Sequence, residues 1–139
     1  MKGLVVDASV VLKWYLPDEV HGERALSILH RYVSGDVRLS APSLLEHEVV
    51  NGLVIARRRG RIEEEKIHTA IEGFINLGIP LSDVFELYGI MISYCNTYGC
   101  SAYDASYLAL AARDGVPLVT ADQRLYDVVK RNLDWVKLL

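Results

Sequence analysis

Cysteine is scarce in this sequence of 139 residues, which contains only Cys95 and Cys100. Two thiols are fewer than the four ligands of a structural zinc site, and they cannot form the disulfide framework of a small secreted domain. The four histidines also lack the spacing of metal ligands. We therefore interpret both cysteines as idle or buried thiols and expect a reducing, cytoplasmic compartment.

An excess of positive charge is also absent. Fifteen lysines and arginines stand against 18 acidic residues, which gives a formal net charge of −3 at pH 7. Such a chain has no global basic field, so a nucleic acid would have to be bound by a local basic patch or through bound cations.

The apolar segments do not have the form of targeting or membrane segments. Residues 4–12 are interrupted by Asp7, and they lack the basic start and small-residue cleavage site of a signal peptide. Residues 87–103 are uncharged but contain Gly89, Ser93, Asn96 and Gly99, which suit a buried helix better than a membrane span. We expect a soluble protein without a membrane partner.

Strand and helix patterns alternate along the chain. Short apolar runs predict buried strands at residues 3–6, 116–120 and 135–138, with an edge strand at residues 79–81. Alternating apolar and polar residues predict another strand at residues 37–40. Helical periodicity predicts helices over residues 21–33, 43–55, 63–77, 83–99 and 101–114. With 51% hydrophobic residues, the chain is long enough for one domain over residues 1–139. The alternation predicts an α/β fold with a mainly parallel sheet.

Helix caps can also be predicted from the sequence. Ser43 and Glu46 have the spacing of a capping box, in which the serine caps the helix and the glutamate bonds back to the serine N–H. Asp83 with Glu86, three residues later, predicts a second cap, and Ser101 a third.

Four acids follow or begin these elements. Asp7 and Asp122 come directly after predicted strands, whereas Glu48 and Asp104 lie in the first two turns of predicted helices. Parallel strands present their carboxyl ends at one edge of the sheet, so the four side chains could converge there. Unit charges about 4 Å apart repel by roughly 4 kcal/mol at an effective dielectric constant near 20, so protons or cations must relieve the repulsion.

The ligand chemistry favours Mg²⁺ or Mn²⁺, because all four side chains offer hard oxygen ligands. Such a site could activate water for attack on a phosphodiester. Each acid also has a structural explanation: Asp7 could cap a helix starting near Ser9, Asp104 fits a capping box with Ser101, Asp122 suits a turn, and Glu48 could lie in solvent. Glu48 is the hardest to dismiss, because it shares an apolar stripe and has Asn51 beside it.

Four ordered motifs carry a family resemblance over almost the whole chain. They are Val5-Val6-Asp7-Ala8-Ser9, Glu48-Val49-Val50-Asn51-Gly52-Leu53, Tyr103-Asp104-Ala105-Ser106-Tyr107-Leu108-Ala109 and Val119-Thr120-Ala121-Asp122. Together they resemble the PIN-domain family and, within it, the VapC ribonuclease toxins.

The resemblance implies a three-layer α/β/α PIN-like fold with a central sheet of about five strands. It implies that Asp7, Glu48, Asp104 and Asp122 are catalytic metal ligands, supported by Ser9, Asn51 and Thr120. It further implies Mg²⁺ or Mn²⁺, an RNA substrate, a homodimer and a small VapB-like antitoxin. Many relatives carry a fifth acid where this chain has Arg124, so the number of metal ions, one or two, stays open.

Arg57, Arg58, Arg59 and Arg61 form a basic run that is a candidate contact for RNA phosphates near the acids. The alternative is a structural role, in which these residues complement the negative end of a helix dipole.

The sequence thus predicts a metal-dependent endoribonuclease that hydrolyses RNA phosphodiester bonds, as the toxin of a toxin-antitoxin pair. One alternative is a catalytically weak PIN-like module that binds RNA or regulates. A second, a phosphatase-like enzyme with Asp7 as nucleophile, is disfavoured because Ser9 stands where that chemistry expects another acid.

Overall fold

The computed structural model describes residues 2–139 and contains one five-stranded sheet. The strands are β1 (Lys2–Val6), β2 (Val37–Pro42), β3 (Leu81–Ser82), β4 (Leu118–Thr120) and β5 (Val136–Leu138). Their order across the sheet is β3-β2-β1-β4-β5, and every neighbouring pair is parallel. The predicted parallel α/β architecture with five strands is therefore confirmed, and the short segment after residue 78 is an edge strand.

Helices connect and cover the strands. In the described part of the chain they are α1 (Ala8–Tyr15), α2 (Gly22–Val33), α3 (Leu45–Arg58), α4 (Glu64–Asn76), α5 (Tyr88–Tyr98), α6 (Ala102–Asp114) and α7 (Gln123–Val129). A 3₁₀ turn, Phe85–Leu87, precedes α5. Helix α6 packs on β1, β2 and β4 and is covered by α5, while α1 to α4 pack on one another as a second group. The result is the predicted three-layer α/β/α arrangement.

The central strand β1 determines where the acids meet. Val5 and Val6 are fully buried, as expected for a strand covered on both faces. Val6 pairs with Val119, and the Asp7 N–H donates to the Val119 carbonyl at 3.2 Å. This register brings Asp7 beside Thr120 at the carboxyl edge of the sheet.

Helix α3 packs against α1, with Gly52 of α3 facing Leu12 of α1. A Cβ atom built on Gly52 would lie 2.4 Å from the Leu12 Cδ1 atom, so the end of the Leu12 side chain fills the space that a side chain at residue 52 would occupy.

Two predicted helix caps are wrong, and the structure has two helices that the sequence patterns do not predict. The capping box of Ser43 and Glu46 is wrong: the N-cap of α3 is Leu44, with no side-chain hydrogen bond. The reason is that Ser43 still belongs to the sheet edge, where its N–H donates to the Ser82 carbonyl at 2.9 Å. The Asp83 cap is also wrong: Asp83 accepts from the Phe85 N–H at 3.0 Å, but α5 starts later, with Leu87 as its N-cap. Helices α1 and α7 lie outside the predicted helices. Across residues 2–139, helices are too short or too polar to traverse a bilayer.

Candidate active site

Asp7 lies at the centre of the candidate site, immediately after β1. Its Oδ1 atom accepts a hydrogen bond from the Ser9 N–H at 3.2 Å and caps α1, while its Oδ2 atom accepts one from the Thr120 hydroxyl at 2.6 Å. The side chain is buried, with 8% of the residue exposed. Burial raises the pKa of Asp7 most, the bonds from Thr120 and Ser9 lower it, and the charges of Asp104 and Asp122 raise it further.

The Thr120 hydroxyl connects two of the acids. It donates to Asp7 and accepts from the Asp122 N–H at 3.0 Å. The Ser9 hydroxyl lies 3.4 Å from it and accepts from the Ala121 N–H at 2.9 Å. Since the Thr120 proton is used toward Asp7, Ser9 is the donor in the contact between the two hydroxyls. Ser9 and Thr120 therefore fix the orientation of the Asp7 carboxylate.

Glu48 reaches the same region from α3. Its Oε1 atom accepts a hydrogen bond from the Tyr107 hydroxyl at 2.7 Å, and the side chain is half-buried. Burial raises the pKa of Glu48, the Tyr107 bond lowers it, and the charges of Asp7 and Asp104 raise it again. Burial and the neighbouring carboxylates Asp7 and Glu48 also hold the pKa of Tyr107 far above its ordinary value, so the tyrosine keeps its proton.

Asp104 and Asp122 border a cleft of about 320 Å³ between the start of α6 and α7. Each also has a capping relationship: the Ser101 Oγ atom accepts from the Asp104 N–H, and the Asp122 Oδ1 atom accepts from the Leu125 N–H. Burial raises the pKa of Asp104 most, the charge of Asp122 raises it further, and Ser101 and the nearby Arg124 lower it. Both residues thus perform the structural tasks considered from the sequence and still lie within electrostatic range of the other acids.

The four acids come from four separate segments and repel one another at one edge of the sheet. Their oxygens are the ligand type that Mg²⁺ and Mn²⁺ prefer, and the repulsion between them is what a divalent cation would relieve. As the side chains stand, however, no three His, Cys, Asp or Glu side chains of residues 2–139 are arranged to hold one ion. The donor chemistry fits a hard cation, and the carboxylates are gathered without being preset around a common point.

Asn51 is not brought into this cluster by any described contact. Its side chain is exposed and lines a shallow surface groove with Glu46 and His47.

The basic run does not lie near the acids, contrary to the prediction. Arg58 is ten residues after Glu48 on the same helix, a separation of about 15 Å along the axis.

The four arginines of that run differ in their contacts. Arg57 is paired with Glu64 at 3.1 Å, and Arg61 forms a two-bond contact with Asp18 at 2.8 Å as well as one with Glu19. Arg58 and Arg59 are exposed at the end of α3. Two of the four therefore have acidic partners within the protein.

Two site residues were missed by the sequence analysis. Tyr107 is part of the third motif but has no role predicted for it, and Arg124 is noted only for the acid it replaces. A signal for Tyr107 existed, because it follows Asp104 by three residues and therefore lies on the same face of α6. Arg124 could be found only from the cleft it lines with Asp104 and Asp122.

A family model for the PIN domain matches residues 4–131, almost the whole chain. The chain belongs to the PIN-domain family. Among curated relatives, Ribonuclease VapC3 of Pyrobaculum aerophilum is 32% identical over 124 residues, covering 88% of this chain and 91% of that protein. Ribonuclease VapC9 of Mycobacterium tuberculosis is 34% identical over 128 residues, covering 89% of both chains.

A solved structure has a similar fold. The crystal structure of PAE2754 from Pyrobaculum aerophilum matches with a TM-score of 0.66 at 22% identity, covering 91% of this chain and 86% of that one. At this level of sequence identity, the structural match shows a shared fold and no more. The resemblance expected from the four motifs is thus confirmed by the family match and by relatives that bear the name VapC.

Proposed function

We propose that this chain, as a single PIN domain over residues 1–139, is a metal-dependent endoribonuclease that hydrolyses RNA phosphodiester bonds in the cytoplasm. The observation that carries the proposal is the meeting of four carboxylates from β1, α3, α6 and the end of β4, three of which have raised pKa values. Separate acids gathered against their own repulsion are typical of functional sites. The curated relatives named above are called ribonucleases, which supports RNA as the substrate.

Asp7, Glu48, Asp104 and Asp122 would hold the cation, Mg²⁺ or Mn²⁺. When bound, such an ion lowers the pKa of a water molecule and stabilises negative charge on the phosphate. The protein's own part is to orient the ligands. Thr120 and Ser9 fix Asp7, and Tyr107 fixes the Glu48 Oε1 atom.

The hydrogen bonds to Asp7 and Glu48 affect the charge of these acids in the metal-free protein. Repulsion favours protonation of the acids, whereas Thr120 and Tyr107 donate to the ionised forms of Asp7 and Glu48 and oppose it. These two hydroxyls therefore keep the carboxylates closer to the charged state in which they can bind a cation.

The test is cleavage of mixed RNA by the purified protein with Mg²⁺, with Mn²⁺ and with excess EDTA. We expect cleavage with either ion and none in EDTA. Full activity in EDTA would contradict a metal-dependent mechanism. Binding of RNA without cleavage under any metal condition would favour the catalytically weak RNA-binding module.

We further propose a homodimer that uses helix α5. This helix of 11 residues has no charged side chain, and none of its residues is buried. Phe85, Tyr88 and Ile92 form an apolar stripe, with exposed fractions of 75%, 58% and 54% and the first two rings 6.1 Å apart. Beside it is an apolar groove lined by Met91 and Tyr103. A second copy of the chain would cover this stripe.

A small antitoxin partner is the last part of the proposal. The carboxylate cluster concentrates negative charge at one edge of the sheet, so a partner that silences the enzyme would insert a basic side chain there. The test is the structure of this chain in complex with the product of a small neighbouring gene. A complex that leaves the carboxylates open and accessible to metal would contradict this mode of inhibition.

A further inference from the structure

Arg124 is the one basic side chain that lines the cleft beside Asp104 and Asp122. It is the second residue of α7, it is exposed, and its charge lowers the pKa of Asp104. Within residues 2–139, the arginines that form ion pairs are Arg57, Arg61 and Arg113, so the Arg124 guanidinium is available to a ligand.

Resting on the proposed function, we propose that Arg124 binds a phosphate of the RNA strand in this cleft. The residue would be a phosphate-binding group of the active site, distinct from the four carboxylates and from the arginine run at the end of α3.

The chemistry of the cleft calls for such a group. Ionised carboxylates only accept hydrogen bonds, and their negative charge repels a phosphodiester. A guanidinium carries five N–H donors in a plane that matches phosphate oxygens, and it stays charged at every physiological pH. Arg124 therefore supplies what Asp104 and Asp122 lack, a permanent cationic donor at the wall where the substrate must approach them.

The competing explanation is that Arg124 only balances the charge of Asp104. The two explanations predict different effects of Arg124 on the affinity for RNA. A charge-balancing residue changes protein stability and the ionisation of Asp104, whereas a phosphate contact releases a counterion on binding and adds to the salt dependence of RNA affinity.

The experiment measures binding of a fluorescent single-stranded RNA oligonucleotide to the metal-free protein in EDTA, where a metal-dependent enzyme does not cleave, over a series of salt concentrations. The variants are Arg124→Ala and Arg124→Lys. The matched control is Arg131→Ala, which removes an exposed arginine just beyond the same helix that does not line the cleft. Melting temperatures of all variants check folding.

We expect Arg124→Ala to bind RNA about tenfold more weakly than the wild type, because the variant loses one charge-assisted contact with a phosphate. The slope of log affinity against log salt should fall by about 0.7, the value for one phosphate of a single strand. Arg124→Lys should keep most of the slope because it keeps the charge, and Arg131→Ala should match the wild type in both quantities.

Cleavage by the wild-type protein with Mn²⁺ separates this inference from the proposed function. If the wild type cleaves RNA but Arg124→Ala keeps its affinity and slope, the inference is wrong and the nuclease proposal stands. If the wild type binds RNA in an Arg124-dependent manner and never cleaves, the inference stands and the nuclease proposal is wrong. A metal-free wild type with no RNA binding also overturns the inference, because the proposed contact needs no metal.

Discussion

The Tyr107 hydroxyl donates a hydrogen bond of 2.7 Å to the Glu48 Oε1 atom, across 59 positions of sequence. Tyr107 lies in the core, 1% exposed, whereas Glu48 is half-buried and faces the other acids. The bond joins α6 to α3 and so couples the folded core to the orientation of one candidate metal ligand. A packing residue and a site residue are here the same side chain.

Removing that hydroxyl should affect both stability and activity. In Tyr107→Phe the Glu48 carboxylate loses a donor, so its pKa should rise further and the acidic limb of the cleavage profile should move to higher pH. Loss of a buried bond to a charged acceptor costs about 1.5–3 kcal/mol, which corresponds to a melting temperature lower by about 3–10 °C. Cleavage rates over a pH series and thermal melts would measure both effects.

Tyr103→Phe is the matched control, because Tyr103 lies in the same helix with 67% of the residue exposed. It should leave the melting temperature and the pH profile unchanged. A Tyr107→Phe variant with the wild-type pH profile would show that the bond is structural only.

The raised pKa of Glu48 predicts how stability depends on pH in the metal-free protein. A carboxyl with a folded-state pKa above its unfolded value stabilises the fold when protonated, and this contribution is lost as pH rises through the folded pKa. At neutral pH the ionised Glu48 therefore lowers the stability of the fold. Glu48→Gln removes this charge, and the amide oxygen of the glutamine can still accept a hydrogen bond from Tyr107.

In EDTA, Glu48→Gln should therefore melt about 2–5 °C above the wild type at pH 7, and the difference should shrink as the pH falls toward 4. Glu46→Gln, on the exposed side of the same helix, should follow the wild type throughout. A Glu48→Gln variant that is less stable than wild type at pH 7 would count against repulsion among the acids.

The apolar stripe of α5 predicts a specific effect on assembly. Ile92→Asp should convert a homodimer of about twice the chain mass of 15.6 kDa into a monomer, because it introduces a charge into the proposed interface. Ile75→Asp is the control, since Ile75 is 64% exposed on α4, away from the stripe. Light scattering at micromolar concentration distinguishes the two masses, and a wild-type monomer there would refute the dimer.

Much of the fold could be predicted from sequence, because its strands are short apolar runs and its helices are periodic. The apolar run that contains Val5 and Val6 predicts a doubly covered strand, which the structure has, and Ser101 caps α6 as expected. Helix α1 was missed because Ala8 to Tyr15 continues the apolar composition of β1, so no change of period marks where the strand ends. Ser43 was misassigned because a capping pattern cannot reveal that its N–H bonds to β3.

The four acids of the site could be predicted from the sequence, but the contacts that orient them could not. Motif order and strand ends indicated Asp7, Glu48, Asp104 and Asp122, each of which the structure brings to the carboxyl edge. The contacts between distant segments could not be read from spacing: Tyr107 with Glu48 and Thr120 with Asp7 depend on how α6 and β4 pack beside β1 and α3. The arginine run does not lie beside the acids, because it is at the C-terminal end of α3 whereas Glu48 is near the start of the same helix.

The central claim is that Glu48 and its partner carboxylates hold the cation that drives RNA cleavage. The most direct measurement compares cleavage of mixed RNA by wild type, Glu48→Gln and Glu46→Gln at saturating Mn²⁺. The two glutamates are two residues apart and about 200° around the helix axis, so one change reaches the site and the other does not. We predict that Glu48→Gln lowers the rate at least about 100-fold while melting at or above the wild-type temperature, and that Glu46→Gln keeps the wild-type rate. An active Glu48→Gln, or an inactive but folded Glu46→Gln, would contradict the account.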